Sequence, residues 1–329
     1  MKKIAITIFL MVLFSSFGLF AQTDWVKYTE NPVLDVGPPG SWDDVEIWPT
    51  RVLLLDSVYH MWYSGYSGTT IRIGHATSPD GISWTKDTLN PILTGDWAYV
   101  ISTPLEYKMW YYSGNNIRYA TSLNGLEWTT HPEPVLSPGP LNWDGVSVNG
   151  PSVMETLDGY EMWYHGFRGY ELAQIGYATA VNETTWTKAD DINPVLTDGD
   201  TGEWDSREVF GPRVLYNADS ERYEMWYAGT ISNYLNTQVG YAWSQDGLVW
   251  EKDSLNPVLN VDEGPELAVI HGDIILDPEA PPDERYKMWY AGYTGSRWWI
   301  GYATAPSDSL SLNDVGNSLP VKFALHQNH

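Results

Sequence analysis

The tripeptide Met-Trp-Tyr stands in this chain five times, in YHMWYSG (59–65), YKMWYYSG (107–114), YEMWYHG (160–166), YEMWYAG (223–229) and YKMWYAG (286–292). A second phrase follows each one: IGHATS (73–78), IRYATS (117–122), IGYATA (175–180), VGYAWS (239–244) and IGYATA (300–305). One structural unit is therefore written out five times, at a spacing of roughly fifty to sixty residues. Its apolar runs are short and alternating, as strands require, which narrows the choice to a propeller or a solenoid of β units.

The two ends of the repeat decide between them. Each unit carries a proline phrase, NPVL (31–34), NPIL (90–93), EPVL (133–136), NPVL (193–196) or NPVL (256–259), with a tryptophan ahead of it at Trp25, Trp84, Trp128, Trp186 or Trp250. The first proline phrase has no Met-Trp-Tyr strand before it, and the last unit has no proline phrase behind it. What one end lacks, the other supplies. In a ring the N-terminal strand becomes the outer edge of the fifth unit and no sheet edge is left bare; a solenoid needs separate caps at both ends. The sequence thus predicts an all-β chain, a five-bladed β-propeller closed by the N-terminal strand, over residues 22–305. Tyr-x-Met-Trp-Tyr is the second strand of each blade and Ile-Gly-Tyr-Ala-Thr the third. Asp80-Gly81, Asn124-Gly125 and Asp246-Gly247 make the turns into the fourth.

Residues 1–21 combine two lysines, an apolar stretch and Ala21 ahead of Gln22. This is the pattern of a secretory signal peptide, and it predicts a secreted or cell-surface protein by bacterial-type export. No later stretch has the length and apolarity of a membrane-spanning helix. The absence of cysteine means that export brings no disulfides, so burial of Trp, Tyr and aliphatic side chains must hold the fold. A formal charge of −24 argues against nucleic acid, whose binding relies on Lys and Arg.

The order of NPVL, a Trp-Asp loop, Pro-x-Val, YxMWYxG and IGYATS resembles the five-bladed propeller glycosidases: the arabinanase and xylosidase-like family 43 enzymes, the family 32 fructosidases and the mannoside phosphorylase family. The resemblance runs from about residue 25 to residue 305 and implies a carbohydrate partner. It does not carry the family's catalytic residues onto this chain. The family 43 aspartate ahead of the first inner-strand proline falls on Trp48, and the glutamate of the Glu-Gly-Pro phrase falls on Asn149 of Asn149-Gly150-Pro151. In blade four the phrase reads Phe210-Gly211-Pro212, and the literal Glu263-Gly264-Pro265 stands too early in its blade. At the other end, SLPVKFALHQNH (318–329) is similar to the opening of the C-terminal sorting domain of the type IX secretion pathway. That likeness implies export machinery as a partner and makes 306–329 a polar linker followed by the start of a sorting domain.

In a propeller, the loops leading into the inner strands and those joining second to third strands open on one face, around the central channel. Asp43, Asp144 and Asp205 recur there in register and read as structural acceptors of hydrogen bonds. Four carboxylates lack evident counterparts, Asp44, Glu46, Glu208 and Asp273; the first three are the catalytic candidates, with Asp44 or Glu46 as base and Glu208 as acid. Glycoside hydrolysis needs such a pair about 5 to 9.5 Å apart. For sugar binding, Trp48 and Trp298 offer flat faces, and Arg51, Asn149, His165, Arg168, Arg213, His271 and Asp273 offer polar contacts. Of the 18 tryptophans, Trp48, Trp243, Trp298 and Trp299 break the repeat and are functional suspects. The others, including Trp42, Trp97, Trp143 and Trp204 beside the lead-in acids, read as core. Asp198, Asp200 and Glu203 in TDGDTGEWD form an oxygen-rich loop where calcium could sit, though without the spacing of a full calcium loop. No other cofactor is expected, and the seven histidines show no zinc spacing. Three functions follow as alternatives: a glycoside hydrolase, a non-catalytic glycan-binding propeller, and a purely structural repeat domain. Trp48 and Asn149 favour the second.

Overall fold

A computed structural model describes residues 25–139, 143–169, 172–232, 236–261 and 265–307. The expected signal peptide, Glu263 and the expected sorting segment lie outside these residues. The chain opens with β1 (Val26–Lys27). Blade one holds β2 (Glu46–Leu55), β3 (Val58–Tyr66), β4 (Ile71–Ser78) and β5 (Thr85–Lys86), with β6 (Leu93–Thr94) added on β4. Blade two holds β7 (Asp96–Ser102), β8 (Tyr107–Ser113), β9 (Asn116–Ser122) and β10 (Thr129–Thr130). Blade three holds β11 (Ser147–Thr156), β12 (Gly159–Phe167), β13 (Ala173–Ala180) and β14 (Trp186–Lys188). Blade four holds β15 (Glu208–Asn217), β16 (Arg222–Thr230), β17 (Gln238–Ser244) and β18 (Glu251–Lys252). Blade five holds β19 (Ala268–Leu276), β20 (Tyr286–Tyr293) and β21 (Trp298–Ala305), and its outer strand is β1, which pairs with β21 through Val26↔Thr304 and Lys27↔Ala303. The fold is an all-β, five-bladed propeller. Among the described residues no helix is long and apolar enough to cross a membrane.

The repeated tryptophans make the seams between blades. Trp62, Trp110, Trp163, Trp226 and Trp289 of the second strands are all fully buried, and burying a large side chain completely is worth on the order of 2–3 kcal/mol. An indole buried this way must still find an acceptor for its N–H. Trp62 donates to the Gly125 carbonyl, Trp110 to Glu183, Trp163 to Gly247 and Trp289 to Gly81, each in the third-to-fourth-strand turn of the next blade. That same carbonyl accepts the N–H of its own blade's fourth-strand tryptophan, Trp128, Trp186, Trp250 or Trp84. Blade five has no such hairpin because its outer strand comes from the N-terminus, and the Trp226 N–H has no acceptor among the described residues. Trp25 fills the space instead, edge-on to Trp226 at 6.3 Å. Trp84, Trp186 and Trp250 meet Trp289, Trp110 and Trp163 in the same edge-on way at 6.1 to 6.3 Å.

The recurring aspartates tie each lead-in loop to its blade. Asp43, Asp144 and Asp205 accept from the Tyr63, Tyr164 and Tyr227 hydroxyls at 3.1, 3.3 and 3.1 Å. They also accept from Lys86, Lys188 and Lys252 at 2.6, 2.5 and 2.7 Å. In blade five Glu266 does the same with Tyr290 at 3.0 Å and with Lys27 of β1 at 3.3 Å. Trp42, Trp143 and Trp204 lie against those tyrosines, in space left by Gly65, Gly166 and Gly229. Trp299 takes the same place in blade five, against Tyr290 and over Gly292. It is therefore a core residue, contrary to the suspicion its sequence position raised. Trp243 packs under the Arg222 guanidinium at 5.6 Å and is likewise structural.

Candidate binding site at the channel mouth

Every inner strand breaks register with its neighbour at the same height: at Pro49/Arg51, Asp96/Tyr99, Asn149/Ser152, Phe210/Arg213 and His271/Asp273. Such a bulge inserts a residue, bends the strand and re-aims the side chains on either side. Beyond the bulge, Arg51, Tyr99, Ser152, Arg213 and Asp273 each stand opposite a second-strand tryptophan. Arg51 and Arg213 both reach Asp273, at 3.1 and 3.0 Å, and both guanidinium groups stack on the Tyr99 ring. Arg51 also donates to the Val100 carbonyl, and Arg213 to the carbonyls of Gly272 and Thr50. These side chains plug the channel and engage one another and the backbone, with Arg213 Nη1 left without a hydrogen-bond partner among the described residues.

Before the bulge a cavity of about 400 Å³ opens at the mouth of the channel. Blade one lines it with Glu46, Trp48, Pro49 and Ile71, blade two with Trp97, and blade three with Asn149, His165 and Phe167. Phe210 of blade four closes one side, and Ile270, His271, Ala291 and Trp298 come from blade five. A cavity of similar size, about 420 Å³, lies by the hairpins of blades three and four, but it is lined by threonines, Tyr160 and Tyr223 and contains no indole.

Trp97 gives the mouth its shape. It occupies the bulge position that blades three and four fill with Gly150 and Gly211, whose φ angles are +55° and +60°, and it shares their backbone with φ +49°. A left-handed backbone is unfavourable for a bulky residue by roughly 1–2 kcal/mol, and such strain concentrates at functional sites. Its indole meets His165 edge-on at 5.6 Å and Phe210 at 6.5 Å. It lies so close to Gly211 that a Cβ there would come within 3.0 Å of the ring. A side chain rooted in blade two thus reaches blade four.

Asp96 holds this arrangement from beneath. Its Oδ1 accepts the Trp48 Nε1–H at 2.9 Å, the Ser64 hydroxyl at 2.6 Å and the Trp97 backbone N–H at 2.7 Å. Burial raises the Asp96 carboxyl to about 6, against the opposing pull of those three donors. Burial likewise raises Glu46 above the ordinary carboxylate value. His165 accepts the Gly211 N–H on Nδ1 at 3.1 Å, so its proton sits on Nε2. Burial holds His165 at about 3, and burial with the neighbouring Arg213 charge holds His271 at about 3, so both rings are neutral. Asn149 accepts the Gly150 N–H at 2.6 Å on its carbonyl oxygen, which leaves its amide NH₂ to the cavity.

Of the residues expected from the sequence, Glu46, Trp48, Asn149, His165, His271 and Trp298 come together on the cavity wall. Arg51, Arg213 and Asp273 form the plug, and Arg168 is exposed outside the cavity lining. Asp44 caps a turn by accepting the Gly40 N–H at 2.6 Å. Glu208 is fully buried at the start of β15 and is not part of the lining. It also has a counterpart in register: Glu208 stands opposite Thr230 as Glu46 stands opposite Tyr66, at the first pair of their blades. In the acidic loop, Asp198 accepts from Gln174 and Glu203 from the Asp200 N–H; among the described residues no group of three His, Asp or Glu is gathered closely enough to hold a metal. The sequence reading missed Trp97, Phe167, Phe210 and Ile270. For Trp97 a signal existed: three lead-ins read Trp-Asp, whereas blade two reads Asp96-Trp97.

No protein-family model matches the sequence, and no curated protein matches it. Solved structures do share the fold. A structure described as "The GH130 family of mannoside phosphorylases contains glycoside hydrolases that target beta-1,2 mannosidic linkages in Candida mannan" is 17% identical with a TM-score of 0.65, covering 89% of this chain and 98% of the other. A glycosyl hydrolase from Bacteroides ovatus is 16% identical with a TM-score of 0.65, over 88% and 96% of the two chains. A thermostable family-43 glycoside hydrolase is 18% identical with a TM-score of 0.59, over 79% and 89%. The chain is thus similar in fold to propeller glycoside hydrolases.

Proposed function

We propose that this chain is an exported carbohydrate-binding propeller that holds a sugar in the aromatic mouth of its channel. The observation that carries this reading is the identity of two wall residues. Trp48 and Asn149 stand where the resemblance to family 43 enzymes places the catalytic aspartate and glutamate, and both face the cavity. The substitutions exchange chemistry for recognition. Indole faces take the C–H side of a sugar ring, and an amide and two neutral imidazoles suit its hydroxyls. The signal-peptide pattern of residues 1–21 and the C-terminal likeness support a location outside the cell, secreted or at its surface.

A second reading, a glycoside hydrolase, draws support from the fold neighbours and from Glu46, a cavity carboxyl shifted in the direction a general acid needs. One experiment separates the two. The mature protein is titrated calorimetrically with a panel of plant and algal oligosaccharides, and the same mixtures are followed by chromatography for released sugar. The binding reading expects saturable heats with no product and loss of those heats in Trp48→Ala. Release of a defined sugar, abolished in Glu46→Gln, would overturn it in favour of hydrolysis.

A further inference from the structure

The mouth contains polar groups that the protein itself leaves unused, and their chemistry narrows the ligand. His271 is only 2% exposed, lines the cavity, and its Nδ1 has no hydrogen-bond partner among the described residues. A buried polar atom without a partner costs about 1–3 kcal/mol unless something supplies the missing bond. His165 stands on the other blade beside Gly211. Its Nδ1 is occupied by the Gly211 N–H, so its Nε2–H is the group it has to offer, and a Cβ on Gly211 would lie 3.7 Å from the His271 ring. The Asn149 NH₂ belongs to the same wall. All three are uncharged. Behind the wall, Arg51 and Arg213 are both paired with Asp273 in the plug, so the Arg213 charge that reaches His271 is shared with that carboxylate, and the charged group on the cavity wall itself is a carboxylate, Glu46.

The geometry points to an uncharged sugar as the ligand of this site, seated with hydroxyls against His165, His271 and Asn149 and its C–H face against Trp97, and it excludes sugars bearing carboxylate or sulfate at that position. This rests on the carbohydrate-binding reading above and deepens it. An anionic group brought to the mouth would lose its water, meet no cation on the wall and face Glu46, so desolvation and repulsion act together against it. A neutral hydroxyl replaces one hydrogen bond to water with one to the His271 Nδ1, which has no partner among the described residues.

The test uses matched ligands. The mature protein is titrated with oligosaccharides that differ only in whether the terminal hexose is neutral, oxidised to its uronic acid, or sulfated, in wild type and in His165→Asn and His271→Ala. Asn at 165 can still accept the Gly211 N–H but has no donor at the Nε2 position. The expected result is at least tenfold weaker binding of the uronic and sulfated ligands, and a five- to tenfold loss for the neutral ligand in each variant, with wild-type melting temperature retained in His165→Asn. Equal affinity for neutral and uronic partners, or an unchanged affinity in both variants, overturns the inference while leaving carbohydrate binding intact. Failure of every member of the panel to bind overturns the underlying reading instead.

Discussion

Trp163 and Trp97 are the same side chain in opposite circumstances. Trp163 is fully buried in a seam, its N–H satisfied by the Gly247 carbonyl of the next blade, and four other blades repeat its position. Trp97 is half-buried, sits on a backbone with φ +49°, and stands where two other blades place glycine. The seam tryptophan satisfies every local preference at once; the mouth tryptophan violates one of them. What a repeat keeps in every copy is the requirement for holding the ring together, and what a single copy changes against its own backbone preference marks where the ring is used.

The comparison can be broken in order of effect. Trp163→Ala should cost about 3–5 kcal/mol in chemical denaturation, as expected for truncating a fully buried aromatic; a loss below about 1 kcal/mol would show that the seams do not carry the fold. Asp96→Asn tests the support beneath the mouth. The folded carboxyl binds its proton more tightly than the unfolded one, so its contribution to stability is fully present below its ordinary value near 4 and is lost as pH rises through about 6. Relative to Asp96→Asn, the wild type should therefore lose on the order of 2–3 kcal/mol between pH 4 and pH 7. Parallel stability curves for the two proteins would place the titration elsewhere.

Trp97→Gly should weaken sugar binding by tenfold or more, about 1.4 kcal/mol in affinity, while relief of the strained backbone limits the cost in melting temperature. A large loss of stability with unchanged binding would make Trp97 another core residue. Asp44→Asn is the smallest effect: a turn cap outside the cavity should change stability by under about 1 kcal/mol and binding not at all.

The architecture was legible because it is written five times. Strand order, the core role of the Met-Trp-Tyr tryptophans and the structural role of Asp43, Asp144 and Asp205 all follow from recurrence. The mouth was half legible. Trp48 and Trp298 announced themselves by standing outside the repeat, but Trp299 did so too and proved to be packing, because blade five draws its cover for Tyr290 from the third strand instead of the lead-in loop. Trp97 hid inside the pattern, since a reversed Asp-Trp order looks like the Trp-Asp pair of other blades until the bulge register is known. Glu208 illustrates the opposite failure. A carboxylate at the right end of the right strand was visible in the sequence, yet whether it faces a cavity depends on neighbours from other blades.

The pairing of β1 with β21 gives the ring a clasp joined from nearly opposite ends of the chain, Val26 to Thr304. Contacts so remote in sequence form slowly, because the loop must close before the pairing repays it. The clasp has two residues of regular strand and is extended by the Leu34↔Ile300 bridge, by Asn31 bonded to Tyr302, by Trp25 and by the ion pair of Lys27 with Glu266. Should it open, β21 presents a free edge that is complementary to the β1 of any other copy. Concentrated, partly unfolded protein would then exchange clasps between molecules and emerge as swapped dimers with every blade complete.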